Sequence, residues 1–146
     1  MSKFVIGLEQ LNLTIDQMKN ADLSIPLGRA GALVEGEAKK NVTRWGMGGN
    51  GELRNSILYT VNDNKVDIGT NVYYAPYVEY GTGLFGPAGA RIYPRHAKVL
   101  HWTDRDGEHF AKSVKGMKPR PFMHPALTQN RTKVLEIFRN YFRGLK

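Results

Sequence analysis

The sequence predicts an α+β domain, a small antiparallel sheet packed by N-terminal helices and a long C-terminal helix. Three observations carry this expectation. Apolar residues recur at helical spacing before residue 43 and again after residue 126. Between these stretches lie four β-rich runs, which come in pairs around short turn signals. At 146 residues, 41% hydrophobic and 23% charged, the chain suits a single domain over residues 1–146 with a sizeable core.

Phe4-Val5-Ile6 reads as a short β-type opening, and Leu8, Leu11, Ile15 and Met18 follow at spacings of three and four, a first amphipathic helix. Ser24 and Pro26 look like an N-cap and a first-turn proline. The helix they open is expected to reach about Val42, with Ala30, Leu33, Val34, Ala38 and Val42 on one face. Gly28, Gly31 and Gly36 each weaken it by about 1 kcal/mol relative to Ala, which points to close packing on a neighbour or to weak helicity until something docks there. Residues 45–51, WGMGGNG, read as a loop. Ser56–Asn62 and Val66–Asn71 form a hairpin about Asn62–Lys65, and Val99–Thr103 and His109–Val114 form another, turning at Asp104–Gly107. Gly83–Gly89 is a second loop and Lys115–Pro125 a proline-punctuated connector. From Ala126 a final helix places Leu127, Val134, Phe138, Tyr141 and Leu145 on one stripe, with Arg131, Lys133, Arg139 and Arg143 beside or opposite it.

Composition removes several function classes. With no Cys there are no disulfides, thiol nucleophiles or Cys-type zinc sites. No apolar run approaches the roughly 20 residues of a membrane helix, and MSKFVIGLEQ does not read as a signal peptide. The N-x-T triplets at Asn12, Asn41 and Asn130 are therefore read as chance. The net charge of +8 is uneven: residues 1–114 hold 13 Lys/Arg against 12 Asp/Glu, and residues 115–146 hold 8 against Glu136 alone. Basicity belongs to the C-terminal stretch.

No catalytic or metal constellation emerges, and no cofactor is expected. Glu35 and Glu37 would point about 200° apart on a helix. His96, His101, His109 and His124 lack metal-ligand spacing, although His101 and His109 could meet across the second hairpin. WGMGGNGEL has Glu52 and Leu53 where a phosphate loop needs Lys and Ser/Thr. NVYYAPYVEYGTG, residues 71–83, has no Lys or Arg among its tyrosines, unlike a base-stacking platform. Packing and protein contact is the reading these rings favour.

Three blocks then form a pattern: GELRNSI (Gly51–Ile57), YYAPYVEYGTG (Tyr73–Gly83) and KPRPFMHPAL (Lys118–Leu127) before a C-terminal helix. Together they resemble the head–tail joining or tail-completion family of long-tailed bacteriophages, whose members show G-x-L-x-x-S-I, A-x-Y-V-E-[FY]-G-T and A-R-P-F-x-x-P-A-L in this order. Lys118-Pro119 departs from that pattern, as does the insertion-like Leu84–Lys98. The resemblance implies a non-enzymatic virion protein, assembled in the bacterial host cytoplasm as a ring, most simply a hexamer, at the tail neck. Head-closure and tail-terminator or tail-tube proteins would be its partners, with non-specific contact to channel DNA. On this reading Tyr77, Glu79, Tyr80, Gly81, Gly83 and Arg120 serve subunit contact, Glu79 by pairing with a neighbour's arginine, while Phe122 plugs the core. Arg131, Lys133, Arg139 and Arg143 form a basic helix facing DNA or protein. A small basic nucleic-acid-binding module is the alternative.

Overall fold

The computed structural model describes residues 19–46 and 51–145. The expected opening strand, the first helix through Met18 and part of the glycine loop lie outside them. Helix α1 (Ser24–Arg44) begins at the expected cap residue itself, one residue early. Leu23 occupies the N-cap position, and the acceptor comes from Asp22, whose Oδ1 takes the Ser24 N–H at 2.9 Å. Hydrogen bonds from the Ser24 side chain and backbone hold the Asp22 carboxyl below its ordinary range.

Of the three glycines expected to mark close packing in α1, only Gly31 does so; Gly28 and Gly36 have open space where a Cβ would stand. Ala30, Val34, Ala38 and Val42 are buried on one face, and Leu33 lies half-buried beside them. At Gly31 an added Cβ would stand 2.6 Å from Tyr59 Cδ2, so the helix meets the first hairpin at a distance only glycine allows. That hairpin joins β1 (Leu58–Asn62) to β2 (Lys65–Gly69) through Asp63 and Asn64, with Asp63 at φ 49°. Its register pairs Tyr59 with Ile68 and Val61 with Val66. Glu35 of α1 accepts the Tyr59 N–H at 3.0 Å, fastening the strand's outer edge to the helix. Ser56, expected to begin this strand, instead closes a short helix, α2 (Glu52–Ser56).

The tyrosine stretch becomes helix α3 (Ala75–Tyr80), followed by a 3₁₀ turn at Gly83–Phe85. The second hairpin, β3 (Leu100–Asp104) with β4 (Gly107–Ala111), turns where Asp-Gly predicts and pairs Trp102 with His109. The four strands thus form two separate two-stranded sheets, not one. The first lies on α1, whereas among the described residues no other element packs broadly on the second.

The long C-terminal helix is divided into α4 (Met123–Thr128) and α5 (Arg131–Arg143). Asn130 is buried at the break, its Nδ2 donating to the Ala126 carbonyl at 2.9 Å. The division leaves Leu127 exposed, while Val134, Phe138 and Tyr141 remain half-buried. Tyr141 Oη donates to the Asp22 carbonyl at 2.7 Å and ties α5 to the start of α1. The core gathers Val34, Ala38 and Val42 with Leu53, Ile57, Val72, Ala75, Val78, Phe122 and Ala126. The expected core position of Phe122 is what the structure shows: 2% of it is exposed.

Candidate functional site

Helical geometry sorts the tyrosine block into two faces. Ala75, Val78 and Glu79, at i, i+3 and i+4, point inward and are buried. Tyr77 and Tyr80 point outward with 56% and 63% of their surface exposed, and Tyr73, just before the helix, is 85% exposed. Tyr74 is half-buried, edge-on to Tyr73 at 5.4 Å, and its Oη donates to Glu52 at 3.2 Å. Burial first, and then the Glu52 contact, pushes the Tyr74 hydroxyl pKa upward. Beside α3 runs an open groove of about 430 Å³, lined chiefly by Ile68, Tyr73, Pro76, Tyr80 and Met123.

Glu79 does something the sequence did not announce. Its Oε2 accepts the N–H groups of Phe122 at 2.8 Å and Met123 at 2.9 Å, and its Oε1 accepts that of His124 at 2.9 Å. These are the free donors at the start of α4, and the next residue, Pro125, has none. The expected pairing with a neighbour's arginine gives way to this internal use, because the carboxylate is buried with both oxygens engaged. Asn41 Nδ2 on the Phe122 carbonyl (3.0 Å) and Trp45 Nε1 on the Pro121 carbonyl (3.1 Å) hold the same segment from α1.

Gly81 and Gly83 do stand against another backbone, and it belongs to their own chain. Their φ angles are +77° and +62°. A Cβ on Gly81 would come within 2.8 Å of the Met117 carbonyl, and one on Gly83 would run into that of Lys115. Thr82 N–H donates to Met117 (2.9 Å), Leu84 N–H to Lys115 (2.8 Å) and Arg120 N–H to Val78 (2.8 Å). Residues 78–84 and 115–122 are thereby laced together, with the half-buried Arg120 at one end. The second and third sequence blocks are two sides of one junction.

The basic residues of α5 are all exposed but do not share a face. At about 100° per residue, Arg131, Arg139 and Arg143 fall on an arc of about 120°, and Lys133 lies outside it. Lys133 stands nearer Glu37, whose carboxyl is held below its ordinary value first by the Lys40 hydrogen bond (2.7 Å), with Lys133 adding to the effect.

His101 and His109 occupy opposite faces of the second hairpin, since adjacent register positions alternate sides, so they cannot share a metal. His101 stacks on Phe110 (centroids 4.5 Å apart) and Trp102 on His109 (5.2 Å). Among the described residues no group of three or more His, Asp or Glu could hold a metal ion, and no helix is long and apolar enough to cross a membrane.

Residues 17–81 match the model of a family described as "Bacteriophage HK97-gp10, putative tail-component". The match takes in GELRNSI and all but the last two residues of the tyrosine block, and stops short of KPRPFMHPAL. No curated protein and no solved structure matches the chain. Over that stretch the chain is similar to a phage tail component, in line with the resemblance its three blocks imply. The matched stretch is less than half of the chain's 146 residues.

Proposed function

We propose that this protein is a non-enzymatic virion component of a tailed phage or prophage, working as a ring of identical copies at the head–tail neck in tail completion and head–tail joining. A hexamer is the simplest ring. The observation that carries the reading is the outward pair Tyr77 and Tyr80 on a helix fixed from beneath by Glu79. Large, rigid, half-polar side chains beside an apolar groove suit protein contact. Gly81, Gly83 and Arg120 belong to the junction that sets this helix in place. Head-closure and tail-terminator or tail-tube proteins are the partners on either side.

Deleting the gene from a phage tests the reading by electron microscopy of the lysate. DNA-filled heads beside separate tails, or tails of faulty length, are expected; normal infectious particles refute it. Tyr77→Ala with Tyr80→Ala should stay folded by circular dichroism yet fail to build necks. A second reading, a nucleic-acid-binding module, draws on one observation: Arg131, Arg139 and Arg143 make no ion pair among the described residues.

A further inference from the structure

Among the described residues, nothing packs broadly on the β3–β4 hairpin or on the exposed arc of α5. Two strands alone are marginal in water and need a third strand or a packed face. Here each face carries an aromatic–histidine stack, and Phe110 and Trp102 are 64% and 39% exposed. The hairpin tip adds Asp104, Asp106 and Glu108 against Arg105, an acidic excess in a basic protein. Asp104 lies 2.8 Å from His109, and Glu108 faces His101 at 3.9 Å. Asp106 makes no ion pair among the described residues.

The arc of α5 has the opposite character. Arg131, Arg139 and Arg143 surround Leu135, which is 47% exposed, and Phe142 lies half-buried beside it. Glu136 sits at the arc's margin, about 140° round from Arg131. The hairpin offers carboxylates and ring faces; the helix offers guanidinium groups and an aliphatic side chain. Guanidinium groups pair with carboxylates and stack on aromatic faces. Within one chain the hairpin and α5 have no broad contact.

We infer that the β3–β4 hairpin of one copy docks on the Arg131–Arg143 arc of α5 in a second copy, head to tail. The two surfaces are different, so the contact is heterologous and leaves a free helix at one end of a dimer and a free hairpin at the other. Repeated, it closes into a ring if the rotation allows. The inference rests on the ring reading and supplies its interface.

The absence of cysteine makes the test direct. A chain carrying Asp106→Cys and Arg139→Cys, mildly oxidised at high concentration, should give a ladder of disulfide-linked multimers. Either single-cysteine variant should stop at a dimer or below. Adding Asp104→Lys with Glu108→Lys, or Arg131→Glu with Arg143→Glu, should weaken the ladder at least about tenfold. Combining both reversals in one chain should restore it. Circular dichroism checks each fold, and Ser replaces the reversed residues wherever the reversal disturbs it. No ladder from the double-cysteine chain, or no recovery on combining reversals, overturns the inference. A closed wild-type oligomer by light scattering alongside either result keeps the ring and moves its interface elsewhere.

Discussion

Replacing Glu79 by Ala removes one carboxylate and strands three backbone donors. The Phe122 N–H is buried and those of Met123 and His124 are partly buried. An orphaned buried donor costs about 1–3 kcal/mol, and hydrogen bonds to a charged group are worth about 1.5–3 kcal/mol each. Water can reach the two partly buried groups, so their loss is discounted to the few tenths to 2 kcal/mol of an ordinary helix cap. The expected destabilisation is about 3 kcal/mol, and at about 3 °C per kcal/mol for a chain of this size the melting temperature should fall by roughly 10 °C. Glu79→Gln should fall between wild type and Ala. Its one oxygen can keep Phe122 and Met123, while its amide N–H₂ faces the His124 N–H, donor against donor. Thermal unfolding followed by circular dichroism, on protein too dilute to assemble, measures both. A Glu79→Ala melting temperature within about 2 °C of wild type would mean that the cap is dispensable and would return Glu79 to the surface contacts.

Phe122→Ala should cost about 3–5 kcal/mol, because the ring is only 2% exposed within the core; an unchanged urea midpoint would count against that placement. Gly83→Ala should unfold the junction near Lys115, since φ is +62° and the Cβ would overlap a carbonyl oxygen, and unaltered amide exchange at Thr82 and Leu84 would contradict this. The Asp104 carboxyl is held below its ordinary pKa by its hydrogen bond to His109 and by the Asp106 N–H. Its folded value is depressed, so its stabilising effect is present above about pH 3.9 and is lost as pH falls through the folded pKa. Asp104→Asn should flatten this acid-side loss of hairpin order, read by NMR on β3–β4, and an unaltered acid profile would refute it. Duplex DNA should bind weakly and without sequence preference, losing affinity with salt at a slope of about −0.9 per arginine engaged. Tight binding to one sequence at high salt would favour the nucleic-acid reading.

Local signals carried most of the fold, and non-local ones were silent. Asp63-Asn64 and Asp106-Gly107 marked both turns, because turn chemistry is written in the turn itself. Ala75, Val78 and Glu79 hold the helical spacing of α3, but the tyrosines around them signal packing and protein contact rather than a helix. Nothing local joins Glu79 to a helix start 43 residues away. The signal available was that RPFMHP has no capping side chain of its own before α4. Similarly, the apolar stripe from Leu127 to Leu145 ran through Asn130 without revealing that its amide would turn back on Ala126. The pairing of strands within each hairpin was legible; that the two hairpins would not join was not, since it depends on where α1 lies.

The tie between Glu79 and residues 122–124 also bears on the order in which the chain can become itself. During synthesis α3 leaves the ribosome well before its donors do, and until they arrive its carboxylate must stay hydrated, holding that side of the helix away from the core. The region similar to phage tail components stops at residue 81, on the near side of this tie. Cut out alone, residues 17–81 would have to bury Glu79 without a donor or leave Val78 in water beside it. The stretch similar to phage tail components is therefore not a self-sufficient folding unit. Its last helix is finished only when the far end of the polypeptide has come back to meet it.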